Sequence, residues 1–120
     1  MPFGRAQLRQ VATFDEFKTL INSGKIIIID FTATWCGPCQ RIGPKFEEFA
    51  KQYGSDDLVF VKVDVDENSE AAEHCNVSAM PTFKAMKDGK VIEEMCGADA
   101  EKLLNLIKKH AGAKPGDLDF

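Results

Sequence analysis

The chain has 120 residues, enough for a single domain with one sizeable core, and its net charge of −4 argues against nucleic acid or an anionic membrane as the main partner. The longest apolar run is four residues, and residues 1–5 lack the apolar stretch of a secretory signal, so the sequence predicts neither a membrane span nor secretion. Four cysteines, of which only two are closely spaced, are not a secreted disulfide framework and indicate a reducing, cytoplasmic compartment.

The first half of the chain alternates strand and helix. Residues 8–11 predict an edge strand, and Thr13 followed three positions later by a glutamate is a capping box that opens a helix. Residues 26–32 are apolar on both faces, which indicates a central parallel strand covered by helices on each side. The longest predicted helix then follows over residues 36–53, with Pro44 inside it.

The second half predicts a strand, a short helix, a hairpin and a last amphipathic helix, over residues 58–65, 69–75, 82–96 and 100–110. Asp88-Gly89 is a strong turn signal for the hairpin. From Gly112 onward we expect a loose tail. Strands that alternate with helices before a hairpin predict an α/β fold built on a mixed sheet.

The run Trp35-Cys36-Gly37-Pro38-Cys39 places two cysteines where a strand delivers them to a helix N-terminus. The unpaired N–H groups and the helix dipole at that end favour a thiolate, so we interpret the pair as a dithiol/disulfide redox motif. A zinc site is the less favoured alternative. Zinc takes four ligands, usually as two close pairs, whereas Cys75 and Cys96 are 21 positions apart.

This motif makes the chain resemble the thioredoxin family, and the resemblance runs from about Leu8 to His110 with short flexible termini outside it. It implies a single domain over residues 1–120 with the thioredoxin fold, a central mixed sheet flanked by helices on both faces. The lead-in to the cysteines is more similar to that of cytosolic eukaryotic members than to that of bacterial ones. Four further matches fall in the family's order, namely Asp30, Pro44, Met80-Pro81-Thr82 and Gly97-Ala98.

The two cysteines have different expected roles. Cys36 comes first, at the strand-to-helix junction, so we expect an exposed nucleophile. Cys39 lies one turn into the helix and is expected to be less exposed, resolving the mixed disulfide and forming the redox disulfide with Cys36. Gly37 and Pro38 set the turn, and the family implies that they tune the redox potential.

Asp30 ends a run of four isoleucines, so burial should raise its pKa toward neutrality and suit it to proton transfer. The residues alone leave a solvent-facing aspartate equally open. The family resemblance favours a buried proton acceptor that serves Cys39, with Lys62 in the neighbouring strand as its electrostatic partner.

The resemblance also implies a cis bond before Pro81 and a flat docking surface for substrates, formed by Trp35, Met80, Pro81, Gly97 and Ala98. The backbone of Met80 would pair with an incoming substrate strand. Backbone pairing asks little of a partner's sequence, which suits a protein with many clients.

Three residues depart from the family pattern. Gln40 stands where many relatives carry lysine, which removes a cation near the thiolate. Cys75 and Cys96 are additional thiols: we expect Cys75 to be a buried small hydrophobe, and Cys96, beside Gly97, to be the better regulatory candidate.

The seven acidic residues between Ser55 and His74 are interpreted as a solvated face.

The predicted function is that of a monomeric protein-disulfide reductase, which binds no cofactor or metal itself. The resemblance implies electrons from an NADPH-dependent flavoprotein, thioredoxin reductase. It implies peroxiredoxins, ribonucleotide reductase and methionine sulfoxide reductases as clients. The alternative is a non-catalytic thioredoxin-fold binding subunit of a larger complex, which the joint presence of both cysteines, Asp30 and Pro81 disfavours.

Overall fold

The computed structural model describes residues 8–111, in which five strands and four helices follow one another in the predicted order. The predicted terminal segments on either side lie outside the described residues. The elements are β1 (Arg9–Gln10), α1 (Phe14–Ile21), β2 (Ile26–Thr32), α2 (Gly37–Tyr53), β3 (Leu58–Asp64), α3 (Ser69–His74), β4 (Thr82–Lys87), β5 (Lys90–Cys96) and α4 (Ala100–Ala111).

The strands form one mixed sheet in the order β1-β3-β2-β4-β5. β3 pairs in parallel with β1 and β2, whereas β4 pairs antiparallel with β2 and β5. β2 therefore lies at the centre, as its apolar faces predicted. In this register Asp30 lies opposite Lys62 on one side and Phe83 on the other.

Two apolar cores cover the two faces of the sheet. On one face Ile28 of β2 packs with Phe46 of α2 and Leu103 of α4, and all three are fully buried. On the other face Ile29 packs with Phe17 of α1, which is 1% exposed. Adjacent residues of β2 thus pack into opposite cores, which is why the sequence of this strand is apolar without alternation. The fold is the predicted α/β sandwich with helices on both faces.

The element ends differ from the predicted ones by at most one residue, and one difference matters for the site. Cys36 is not the first residue of α2 but its N-cap, with extended backbone angles (φ −92°, ψ 111°). An N-cap residue directs its side chain back toward the first N–H groups of the helix. The boundary therefore places the Cys36 sulfur over the end of α2.

The β4–β5 hairpin docks against α1 at the far end of the sheet. Asp88 (φ 53°) and Gly89 (φ 78°) form its tight turn, as the sequence predicted. The Gly89 N–H donates to the carbonyl of Ile21 at 2.8 Å. The side chain of Asn22, which donates to the carbonyl of Lys18 at 2.9 Å, lies against the same turn.

Candidate active site

The junction between β2 and α2 carries the two cysteines. Cys36 and Cys39 are joined by a disulfide, and the backbone N–H of Cys39 donates to the Cys36 sulfur at 3.2 Å. Gly37 and Pro38 occupy the first turn of α2, where the missing N–H of proline leaves no bond unmade. The pair therefore lies at the positive end of the longest helix, where an N–H group of the first turn donates to sulfur instead of to a helix carbonyl.

The expected contrast in exposure between the two cysteines is small. Cys36 is 6% exposed and Cys39 is 2% exposed, and both pack in a small cluster with Ala33 and against Met80. The prediction of an exposed Cys36 was therefore wrong for this disulfide form.

Met80 and Pro81 approach the cysteines from the loop before β4. The peptide bond between them is cis, as the resemblance implied, and the Met80 carbonyl oxygen lies 3.7 Å from the Cys36 sulfur. Pro81 itself is buried, and its carbonyl accepts the N–H of Gly97 at 2.9 Å. Gly97 is half-buried and Ala98 is exposed. Backbone groups of two loops thus meet beside the disulfide.

Trp35 completes this rim and is held by a residue that sequence reasoning missed. Its ring is 66% exposed, and Nε1 donates to the Asp66 carboxylate at 2.8 Å. The Asp66 N–H in turn donates to Asp64 at 2.8 Å, which folds the loop after β3. Asp64 is paired with Thr32 at the end of β2, so the loop is anchored beside the site. The sequence carried no signal for this contact, because Asp66 is one of several acidic residues at the end of β3.

Asp30 lies under α2 on the face opposite α1. Its side chain is 2% exposed, and within residues 8–111 its Oδ1 has no hydrogen-bond partner. Burial raises the pKa of Asp30 from 3.8 to about 7, and the positive charge of Lys62 opposes that rise. Asp30, Lys62 and Cys39 line one cleft of about 230 Å³, together with Gln40 and Glu47.

The two other cysteines are not part of the disulfide, and their environments differ. Cys75 is 4% exposed, its sulfur lies 3.8 Å from the Met86 sulfur, and burial raises its pKa to about 11. Cys96 is exposed at the end of β5, 3.3 Å from the hydroxyl of Thr82. Burial of Cys75 is confirmed, while a regulatory role for either thiol stays a prediction.

The described residues contain neither a candidate metal site nor a candidate membrane span. Among the described residues no group of three or more His, Cys, Asp or Glu side chains could hold a metal ion. Within the same part of the chain, no helix has the length and apolar character needed to cross a membrane.

Known proteins resemble this chain in sequence along most of its length. The sequence model of the thioredoxin family matches residues 9–109. The chain belongs to the thioredoxin family. Thioredoxin of Coprinus comatus is 52% identical over 99 residues, covering 82% of this chain and 93% of that protein. Thioredoxin-1 of Schizosaccharomyces pombe is 48% identical over 101 residues, covering 84% of this chain and 96% of that protein.

Solved thioredoxin structures share the fold. Thioredoxin of Malassezia sympodialis superposes with a TM-score of 0.84 at 42% identity, covering 88% of this chain and 95% of that one. Thioredoxin of Plasmodium falciparum gives a TM-score of 0.80 at 44% identity, covering 85% of this chain and 98% of that one. The predicted thioredoxin fold is confirmed. As a thioredoxin, the chain is a protein-disulfide oxidoreductase that works by dithiol–disulfide exchange with redox partner proteins.

Proposed function

We propose that Cys36 is the attacking nucleophile and Cys39 the resolving thiol of this thioredoxin. The observation that carries the proposal is the position of Cys36 as the N-cap of α2, with the Cys39 N–H already donating to its sulfur. That donor and the helix dipole stabilise a negative sulfur, so the Cys36 thiolate is favoured in the reduced protein. Cys39, less exposed and one turn inside the helix, has no comparable end position.

The reaction then runs in two exchanges. The Cys36 thiolate attacks one sulfur of a client disulfide, so the client S–S bond breaks, a mixed disulfide forms and one client thiolate leaves. Cys39 loses its proton and attacks the Cys36 sulfur, which releases the second client thiolate and leaves the Cys36–Cys39 disulfide. Two electrons have passed to the client, and the disulfide form described above is the product state.

We assign Asp30 as the acceptor of the Cys39 proton. Both groups line the same cleft beneath α2, and a carboxylate with a pKa of about 7 is half ionised at neutral pH, so it can take a proton and return it. Lys62, opposite Asp30 in the sheet, keeps that pKa from rising further. Water in the cleft can complete the route between the two groups.

Clients would dock on the rim formed by Trp35, Met80, Gly97 and Ala98, with Pro81 beneath it. The exposed ring of Trp35 offers apolar area, and the loop before β4 offers backbone groups next to sulfur. Added-strand pairing there would align a client disulfide with Cys36. Gly37 and Pro38 would tune the potential by fixing the turn between the sulfurs.

We further propose a monomeric, single-domain protein of the cytoplasm, recycled by NADPH-dependent thioredoxin reductase. Two thiols, Cys75 and Cys96, remain unbridged, which suits a reducing compartment. Peroxiredoxins, ribonucleotide reductase and methionine sulfoxide reductases are the proposed clients. A solved structure 38% identical to this chain concerns the thiol-resolving mechanism of a yeast mitochondrial 1-Cys peroxiredoxin via glutathione/thioredoxin systems, which supports peroxiredoxins as clients.

A trapping experiment tests the roles of the cysteines. In Cys39→Ser the mixed disulfide on Cys36 cannot be resolved, so affinity capture from a cell extract should retain clients that only reducing agent releases. Cys36→Ser serves as the matched control and should retain few. Equal trapping by the two variants on non-reducing gels would show that Cys36 is not the preferred attacker. Insulin reduction by the wild type with reductase and NADPH tests the cycle as a whole.

A further inference from the structure

The residue that follows Cys39 binds both ends of the segment that carries the nucleophile. The side-chain Nε2 of Gln40 donates to the carbonyl of Ala33 at 3.0 Å. The backbone N–H of the same residue donates to the carbonyl of Cys36 at 3.2 Å. The backbone bond is the first intrahelical bond of α2, which any residue at this position would make, so the contact specific to glutamine is the side-chain bond to Ala33.

The Ala33 carbonyl links this side chain to the cysteine. It also accepts the N–H of Cys36, at 3.2 Å, and so closes the turn that ends at the nucleophile. Ala33 is fully buried, so its carbonyl depends on these protein donors rather than on solvent. The two donors hold this carbonyl in one orientation. That orientation in turn restrains the position of Cys36, both its N–H and its sulfur.

Gln40 acts here through geometry, because its amide carries no charge. Its side chain also lines two neighbouring clefts, one of about 230 Å³ that contains Asp30 and Cys39, and one of about 130 Å³ that contains Thr34 and Asp64. The amide therefore lies where the active-site turn, the helix and the approach to the buried carboxylate meet.

We propose that Gln40 is a positioning residue, whose bond to the Ala33 carbonyl keeps the Cys36 sulfur at the N-terminus of α2 and thereby sets the reactivity of its thiolate. The inference rests on the proposed role of Cys36 as attacker. Without the amide, the Ala33 carbonyl keeps only the Cys36 N–H, the turn loosens, and the sulfur spends less time against the Cys39 N–H. The helix end then stabilises the thiolate less.

The test compares two methionine variants on the same helix. Gln40→Met keeps the length of the side chain and removes the donor, whereas Gln52→Met makes the same change at an exposed position of α2. The reduced proteins are alkylated with iodoacetamide from pH 5 to 9, and the modified cysteine is identified by peptide mapping. Insulin reduction gives kcat and KM in parallel.

Loss of one neutral hydrogen bond predicts a roughly two- to tenfold lower alkylation rate of Cys36 near pH 7 in Gln40→Met, with the pH profile displaced upward. The insulin kcat/KM should fall by a similar factor, while Gln52→Met matches the wild type. Gln40→Lys retains a donor, so it should restore the wild-type profile in high salt, where its charge is screened.

A role confined to stability would lower the melting temperature of Gln40→Met but leave the pH profile of Cys36 unchanged, and that result would overturn the proposal. Preferential alkylation of Cys39 in the wild type would instead overturn the assignment of the attacker, and the proposal with it. The two failures are therefore distinguishable in one data set.

Discussion

Replacing Asp30 by asparagine should remove the contribution of this carboxyl group to the pH dependence of the protein's stability. The carboxyl group is 2% exposed, and its Oδ1 has no partner among residues 8–111. Burial raises its pKa to about 7, whereas an aspartate in the unfolded chain titrates near 3.8. Between these two pH values the folded protein holds a proton that the unfolded chain has released.

The sign of the effect follows from that difference in bound protons. Where the folded state binds more protons, the free energy of unfolding falls as the pH rises. The contribution of Asp30 is complete below about pH 4 and is lost as the pH passes through 7. At about 1.4 kcal/mol for each pH unit between the two pKa values, the loss approaches roughly 4 kcal/mol. That is a large share of the 5–15 kcal/mol typical of a small domain.

Urea unfolding of the oxidised proteins from pH 4 to 9 measures this loss. Asparagine has no proton to release, so Asp30→Asn should diverge from the wild type as the pH rises and become the more stable protein above pH 7. In Lys62→Gln, which removes the charge that lowers the folded-state pKa of Asp30, the decline should start at the same pH, extend to higher pH and become larger in total. A gap between wild type and Asp30→Asn that stays constant over this range would refute the reasoning, because it would mean that the folded protein does not hold the proton.

The same variant has a kinetic signature. General-base assistance is worth roughly 10²–10⁴ in rate when fully expressed, but a thiol deprotonates appreciably unaided near pH 8. Asp30→Asn should therefore slow reduction of a protein disulfide in stopped flow, by a factor that shrinks from pH 6 to 9. A rate ratio that is flat across this range would leave Asp30 a structural residue.

Two further substitutions test contacts away from the disulfide. A Cβ at Gly89 would lie 2.8 Å from Asn22 Oδ1, whereas one at Gly24 meets nothing within 4 Å, and both positions have positive φ. Gly24→Ala therefore measures the backbone strain alone, about 1–2 kcal/mol, and Gly89→Ala should lower the free energy of unfolding in urea by more than that. Equal losses in the two variants would contradict a clash with Asn22. Asp66→Ala should shift the indole N–H resonance of Trp35, the only tryptophan, and raise the KM for insulin several-fold. Asp66→Asn keeps an acceptor and should behave like the wild type, so matching defects in both variants would argue against the hydrogen bond.

Much of the fold was predictable because the strongest signals are local. Four consecutive isoleucines indicate a strand buried on both faces, and the turn signal at Asp88-Gly89 depends only on neighbouring residues. Position along the chain also located the cysteine pair at a helix N-terminus. The residue-level boundary at Cys36 was off by one, since an N-cap and a first helical residue differ only in backbone angles.

The contacts that refine the site depend on loop geometry that the sequence does not encode locally. Trp35 and Asp66 are 31 positions apart, and nothing in the acidic run after β3 distinguishes the carboxylate that meets the indole from its neighbours. From the sequence, Gln40 was interpreted only as the loss of a positive charge near the thiolate. Its bond to the Ala33 carbonyl depends on how the turn closes. Burial of Cys36 depends on packing by a loop from the other half of the chain.

Because the cysteines lie in unequal environments, the oxidised protein offers a single accessible thiol for labelling. Two of the four sulfurs are tied up in the disulfide, and Cys75 is both buried and held as a thiol by its pKa of about 11. Cys96 is the thiol left exposed, and it directly precedes Gly97 of the proposed docking rim. A maleimide dye should therefore attach at one known point of the unmutated chain. Such a label would lie next to the proposed docking rim, so its fluorescence could report the binding of a client.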